Sequence, residues 1–106
     1  MPQTLQYPRT QLARESKKIC DSWEVPEIPI DINPRFQTTL GQFSHSIIGG
    51  TPIKIQFSGS LIKNCSAESV FKVLYHELAH YIQLLIFGYT DHDRLFFETL
   101  DAINPN

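Results

Sequence analysis

The stretch Val70 to His92, VFKVLYHELAHYIQLLIFGYTDH, decides the reading of this 106-residue chain. Placed at about 100° per residue, Lys72, His76, His80 and Gln83 form one polar stripe. Leu74, Leu78, Tyr81 and Leu85 lie opposite, and Val70, Val73, Ile82 and Ile86 fill the flanks. A helix apolar on most of its circumference is buried in its domain. Polar rings and a carboxylate on such a helix are costly unless something pairs with them. His76 and His80 stand one turn apart on one face, so both imidazoles can reach one metal ion. Glu77 lies about 100° round the helix from His76, beside a metal rather than on it, where a general base belongs. Gly88 stops the helix and His92 follows four residues later, a third nitrogen delivered by a turn. Three protein ligands with one open position is the composition of a catalytic zinc site. Three of the four histidines of the chain fall in this stretch.

Outward from the helix, the chain is long enough for one domain, residues 1–106, with residues 1–8 a loosely ordered lead-in. Pro8 and Thr10, the latter as N-cap, introduce an amphipathic helix over QLARESKKICDSW, with Leu12, Ile19 and Trp23 on its apolar side. Pro26 and Pro29 break it. Ile28, Ile30 and Ile32 alternate into a short strand, and Asn33-Pro34 marks a turn. Thr38 to His45 reads as a second strand, where Gly41 points to a bulge or a close backbone approach, and His45 as an exposed residue at a hairpin end. Thr51 to Ser58 is the clearest strand and pairs with the second through SIIGG as an antiparallel hairpin, its edge a candidate for substrate-strand addition. Asn64 or Ser66 caps the helix Ala67 to Phe87. Asp91 caps a last helix, Asp93 to Ile103, that buries Phe96, Phe97, Leu100 and Ile103. The fold class is α+β: N-terminal helix, small mostly antiparallel sheet, central metal helix, C-terminal helix.

From about Leu12 onward, this chain resembles the SprT-like family of zincin metallopeptidases. The resemblance rests on Thr39-Leu40-Gly41, on Ile53-Lys54-Ile55-Gln56-Phe57-Ser58 with Leu61-Ile62, and on His76-Glu77-Leu78-Ala79-His80 followed by Gly88-Tyr89 and His92-Asp93. Eleven residues separate His80 from His92. Metzincins would place Gly and His where this chain has Gln83 and Ile86, so that pattern fails. The resemblance implies a minimal zincin-like domain. It implies one Zn2+ per chain on His76, His80 and His92, with Glu77 as the catalytic base. The implied activity is zinc metallopeptidase hydrolysis of a protein or peptide substrate. The eukaryotic branch, Spartan, acts on DNA–protein crosslinks, which extends the expectation to crosslink repair or protein quality control. Many bacterial relatives carry a C-terminal cysteine zinc ribbon, and Spartan carries further DNA-binding elements; these 106 residues contain neither. The alternative is a zinc-binding scaffold or partner-binding module of zincin fold that cleaves nothing.

Two further residues bear on the chemistry. Tyr89 could donate to the developing oxyanion or pack over the helix end. Asp93 could orient His92 or stabilise the last helix N-terminus. Two cysteines, Cys20 and Cys65, make no disulfide framework, and the first twenty residues lack an apolar signal segment, so the expected location is cytoplasmic. Polar residues interrupt the apolar helix, so no membrane span is expected. With a net charge of −2 and four basic residues in 51–106, the isolated domain should bind DNA no tighter than the nonspecific range of about 10⁻⁴–10⁻⁶ M at physiological salt. Fluorescence anisotropy with single- and double-stranded oligonucleotides checks this; submicromolar binding at that salt would contradict it.

Overall fold

The structure is a computed structural model and describes residues 9–33, 35, 41–45, 52–59, 62 and 65–103. The expected lead-in 1–8, the turn at Pro34, the first half of the second strand, the SIIGG link and the anchor Leu61 lie outside the described residues.

Helix α1 spans Arg9–Ser22, so Thr10 sits inside its first turn rather than capping it. Leu12, Ile19 and Cys20 are buried, while Lys17 and Asp21 pair on the outer face at 2.9 Å. Burial raises the Cys20 thiol pKa, the condition of an inert core thiol. The helix ends before the prolines. Glu24 adopts a left-handed φ of 58°. Its N–H then bonds Asp21 O at 3.1 Å, and the Val25 N–H bonds Cys20 O at 3.0 Å, a Schellman stop. Pro26 and Pro29 then keep the chain extended.

Three strands follow: β1 (Ile30–Asn33), β2 (Gly41–His45) and β3 (Pro52–Ser58), ordered β1-β3-β2. β2 pairs antiparallel with β3, Gly41 opposite Phe57 and Phe43 opposite Ile55, with an irregularity between Ser44 and His45. β1 pairs parallel with β3, Ile30 opposite Ile55 and Asn33 opposite Ser58, which makes the sheet mixed. Among the described residues β3 is therefore the central strand and β2 an edge. The sequence points to Thr51 to Ser58 as the edge, but β3 is paired on both sides. Ile55 and Phe57 are fully buried, while Lys54 and Gln56 stay partly exposed.

Helix α2 (Ala67–Phe87) packs on this sheet. Ser66 caps it, its Oγ accepting the Ser69 N–H at 3.2 Å. Gly88 closes it at φ 85°, donating to Leu84 O at 2.9 Å. Val70, Leu74, Leu78, Ala79 and Ile82 are fully buried. The Tyr75 hydroxyl donates to Glu15 at 3.0 Å and the Tyr81 hydroxyl to Pro26 O, tying the helix to α1 and to the segment after it. The apolar pattern outlasts its cover: Leu85, Ile86 and Phe87 are exposed, against the expectation for Leu85 and Ile86.

Helix α3 (Arg94–Ile103) lies against α2 and buries Phe96, Thr99 and Ile103, with Leu100 partly covered. Phe97 is 53% exposed, because it falls on the side of α3 turned from α2. Asp93, not Asp91, is the cap: its Oδ1 accepts the Phe96 N–H at 3.0 Å. Asp91 Oδ1 instead accepts the His92 N–H at 2.8 Å.

Gly41 sets how close the sheet comes to α2. A Cβ there would stand 2.5 Å from Val73 Cγ1 and 3.6 Å from Glu77 Cγ. Gly41→Ala should therefore cost about 1–3 kcal/mol through overpacking. Adding Val73→Ala should recover part of that, so the pair costs less than the sum of the singles. Urea unfolding of the three variants measures it; an unchanged midpoint for Gly41→Ala would remove the constraint.

Candidate metal centre and active site

The helical repeat of α2 puts the His76 and His80 rings 5.0 Å apart, centroid to centroid. The Gly88 turn and the following loop return the chain so that His92 meets both. His92 Nε2 lies 3.0 Å from His80 Nε2 and 3.2 Å from His76 Nε2. One nitrogen from each of the three lies within 4.8 Å of the others, and among the described residues they are the group with the geometry of a metal site. Tetrahedral zinc with N at about 2.0–2.1 Å sets its ligand nitrogens roughly 3.3 Å apart. The three imidazoles fit such an ion with small adjustments.

The surroundings of His76 and His80 favour the neutral form that a ligand needs. Burial lowers the His80 pKa to about 4, helped by His76 and His92. Burial, then His92, lowers that of His76. Phe96 forms a common apolar floor, its centroid 5.0, 4.4 and 5.0 Å from the rings of His76, His80 and His92. His80 Nδ1 contacts Thr90 Oγ1 at 2.6 Å. A proton on Nδ1 donated to that hydroxyl leaves the Nε2 lone pair for a metal.

Glu77 stands outside the three-nitrogen group, as its helical position requires. It is only 8% exposed. Burial raises its pKa from 4.5 to about 7, and a backbone bond from Phe43 offsets part of that. The strand geometry explains the bond. The Ile55 N–H donates to Pro29 O at 2.9 Å, on the β1 side. Phe43, its antiparallel partner, by alternation turns its own N–H away from β3, toward α2 and the cleft. Gly41, two residues back, turns its backbone the same way.

These parts wall one cleft of about 430 Å3: Gly41 to Phe43 from β2, His76, Glu77 and His80 from α2, and Thr90 to His92 from the loop. A second hollow of about 370 Å3, with Lys72 and Val73, continues it past Gly41, His76 and Glu77.

Tyr89 and Asp93 face each other instead of the cleft. The Tyr89 hydroxyl donates to Asp93 Oδ2 at 2.6 Å, and neither residue lines the cavity. Tyr89, then the Phe96 N–H, holds the Asp93 carboxyl below its ordinary range. Of the alternatives open in the sequence, the structure gives Asp93 the helix cap. Three contributors went unread in the sequence: Thr90, Phe96 as floor, and Gln83. Gln83 was placed on the polar stripe, but it is fully buried. Its Oε1 accepts the Asp91 N–H at 3.0 Å and its Nε2 donates to Asp93 Oδ1 at 3.1 Å. Its one signal is a lone amide a turn beyond His80 on a helix otherwise apolar.

A sequence model of the SprT-like family matches residues 9–106. The chain belongs to the SprT-like family. The crystal structure of the metallopeptidase zymogen of Methanocaldococcus jannaschii jannalysin is similar to it, with a TM-score of 0.59 at 20% identity over 86% of this chain and 79% of that one. The likeness shows that this SprT-like chain shares the α+β fold of that structure. Among curated proteins nothing matches. No helix among the described residues is long and apolar enough to cross a membrane.

The Glu77 environment has a measurable consequence. Between pH 4.5 and about 7 the folded protein holds a proton on Glu77 that the unfolded chain has released, so this residue lowers stability as pH rises through that window. His76 and His80 act oppositely, since the unfolded chain protonates them first. Comparing wild type with Glu77→Gln in chelator cancels the histidines. The stability gap in favour of Gln should grow from near pH 4.5 and level off above about 7, by on the order of 3 kcal/mol. Denaturant unfolding across pH checks this; a gap independent of pH would contradict it.

Proposed function

We propose that this SprT-like protein is a zinc-dependent metallopeptidase acting on extended segments of protein substrates. The observation that carries the proposal is the convergence of His92 on His80 at 3.0 Å and on His76 at 3.2 Å, beside the buried Glu77, in a cleft walled by β2. His76, His80 and His92 would hold the metal. Zinc there supplies Lewis-acid polarisation of a substrate carbonyl and lowers the pKa of water toward about 7.

Glu77 takes the proton of the attacking water on its carboxylate and returns it to the leaving amine. Burial favours the protonated form of Glu77 and so opposes the pull of a nearby cation, which suits a carboxyl that must both take and return a proton. The Phe43 N–H holds the carboxylate in place. The same edge of β2 presents Gly41 and its neighbours to a substrate strand, so main-chain pairing would lay the scissile bond along the cleft. Of the settings implied by the resemblance, protein quality control fits a net charge of −2 better than a DNA-directed role does. The free Cys20 and Cys65 suit a reducing cytoplasm.

Glu77→Gln keeps size and most hydrogen bonding but cannot accept the proton. It should retain zinc and lose turnover of an unfolded protein substrate by at least about a hundredfold under single-turnover conditions. Equal activity in both proteins would refute the mechanism. Zinc in both with activity in neither would favour the scaffold reading.

A further inference from the structure

The third histidine sits on a loop, and a loop must be held before it can offer a ligand with the precision of a helix. Chain order alone does not do this: Gly88 releases the backbone from α2 and three residues follow before His92. Side-chain hydrogen bonds pin this loop to α2. Two come from one side chain, Gln83, on α2 itself. Its amide oxygen takes the Asp91 N–H at 3.0 Å and its amide nitrogen gives to Asp93 Oδ1 at 3.1 Å, so it grips the residues immediately before and after His92. The Tyr89 hydroxyl to Asp93 and the Thr90 hydroxyl at His80 Nδ1 add to this hold.

We infer that Gln83 is the positioning residue that presets His92 against His76 and His80, so that the metal meets a site already formed. The inference rests on the zinc reading above. Gln83 has no exposure to water. A buried amide without partners is costly, so loop and side chain are held in one arrangement together. The site also needs an amide in particular. One end must accept from a backbone N–H while the other donates to a carboxylate, and glutamine offers both. Methionine fills the space and does neither; glutamate would set a carboxylate against Asp93. Because Gln83 follows His80 by three residues on the same helix face, the latch and two ligands share one rigid element. Thr90 directly precedes the gripped Asp91 and touches His80 Nδ1, so fixing the loop also serves the His80 tautomer.

The test is zinc affinity by chelator competition, with the cobalt absorption spectrum as a readout of ligand geometry. Gln83→Met should weaken zinc binding by roughly 10–100-fold, the usual effect of losing a residue that orients a metal ligand. It should also reduce the tetrahedral cobalt bands. Ile103→Val, a core change in α3, should lower the melting temperature and leave affinity and spectrum as in wild type. If Gln83→Met does not fold, Asp93→Asn reaches the same contact from the other side, since asparagine also caps helices but accepts more weakly. It should weaken zinc by a few-fold. Wild-type affinity and spectrum in Gln83→Met, or in Asp93→Asn should that variant be needed, while His92→Ala loses zinc, would overturn the inference alone. Wild type that binds no zinc would overturn the metal reading and this inference with it.

Discussion

A helix whose Val70, Leu74, Leu78 and Ile82 are wholly removed from water leaves His76, Glu77 and His80 one way out, the cleft between β2 and the Gly88–Asp93 loop. That constraint organises the structure. The imidazoles must be bonded or bound where they stand, because a partly buried ring without a partner is destabilising. Phe96 gives them an apolar floor, and Thr90 gives His80 its hydrogen bond. Glu77, nearly as buried, receives the Phe43 N–H. That bond exists only because Gly41 lets β2 come close to the helix. Side chains that look like catalytic equipment are thus also the means by which a buried helix tolerates its own polarity.

Much of this was readable in the chain because the signals are local. The span Ala67–Phe87 follows from a 3.6-residue period bounded by Ser66 and Gly88, and both caps form. His76, His80 and His92 follow from spacing and a turn. The antiparallel pairing of β2 with β3 follows from two alternating runs and a glycine link. The parallel pairing of β1 was not readable, because it joins segments more than twenty residues apart and no turn marks it. For the same reason the sequence alone leaves β3 as an edge, whereas β1 covers that side of it.

Other differences come from competition between equal local signals. Asp91 and Asp93 are both good caps; the choice falls to Asp93 because Gln83 and Tyr89 also hold it. Amphipathic counting marks Phe97, Leu85 and Ile86 as core, but it cannot say where the neighbouring element stops, and all three end exposed. Gln83 shows the reverse. Its place on the polar stripe suggests water, and instead it lies buried between two backbone segments, where its two-ended amide has most effect. In both directions tertiary cover, not helical period, decides exposure.

The central claim is that His76, His80 and His92 form one three-nitrogen metal site, and zinc-edge X-ray absorption of the purified protein tests it most directly. The account predicts one zinc per chain with three imidazole nitrogens at about 2.0–2.1 Å, a lighter oxygen scatterer and no sulfur. A sulfur shell at about 2.3 Å, or fewer than three imidazoles in wild type, would contradict it.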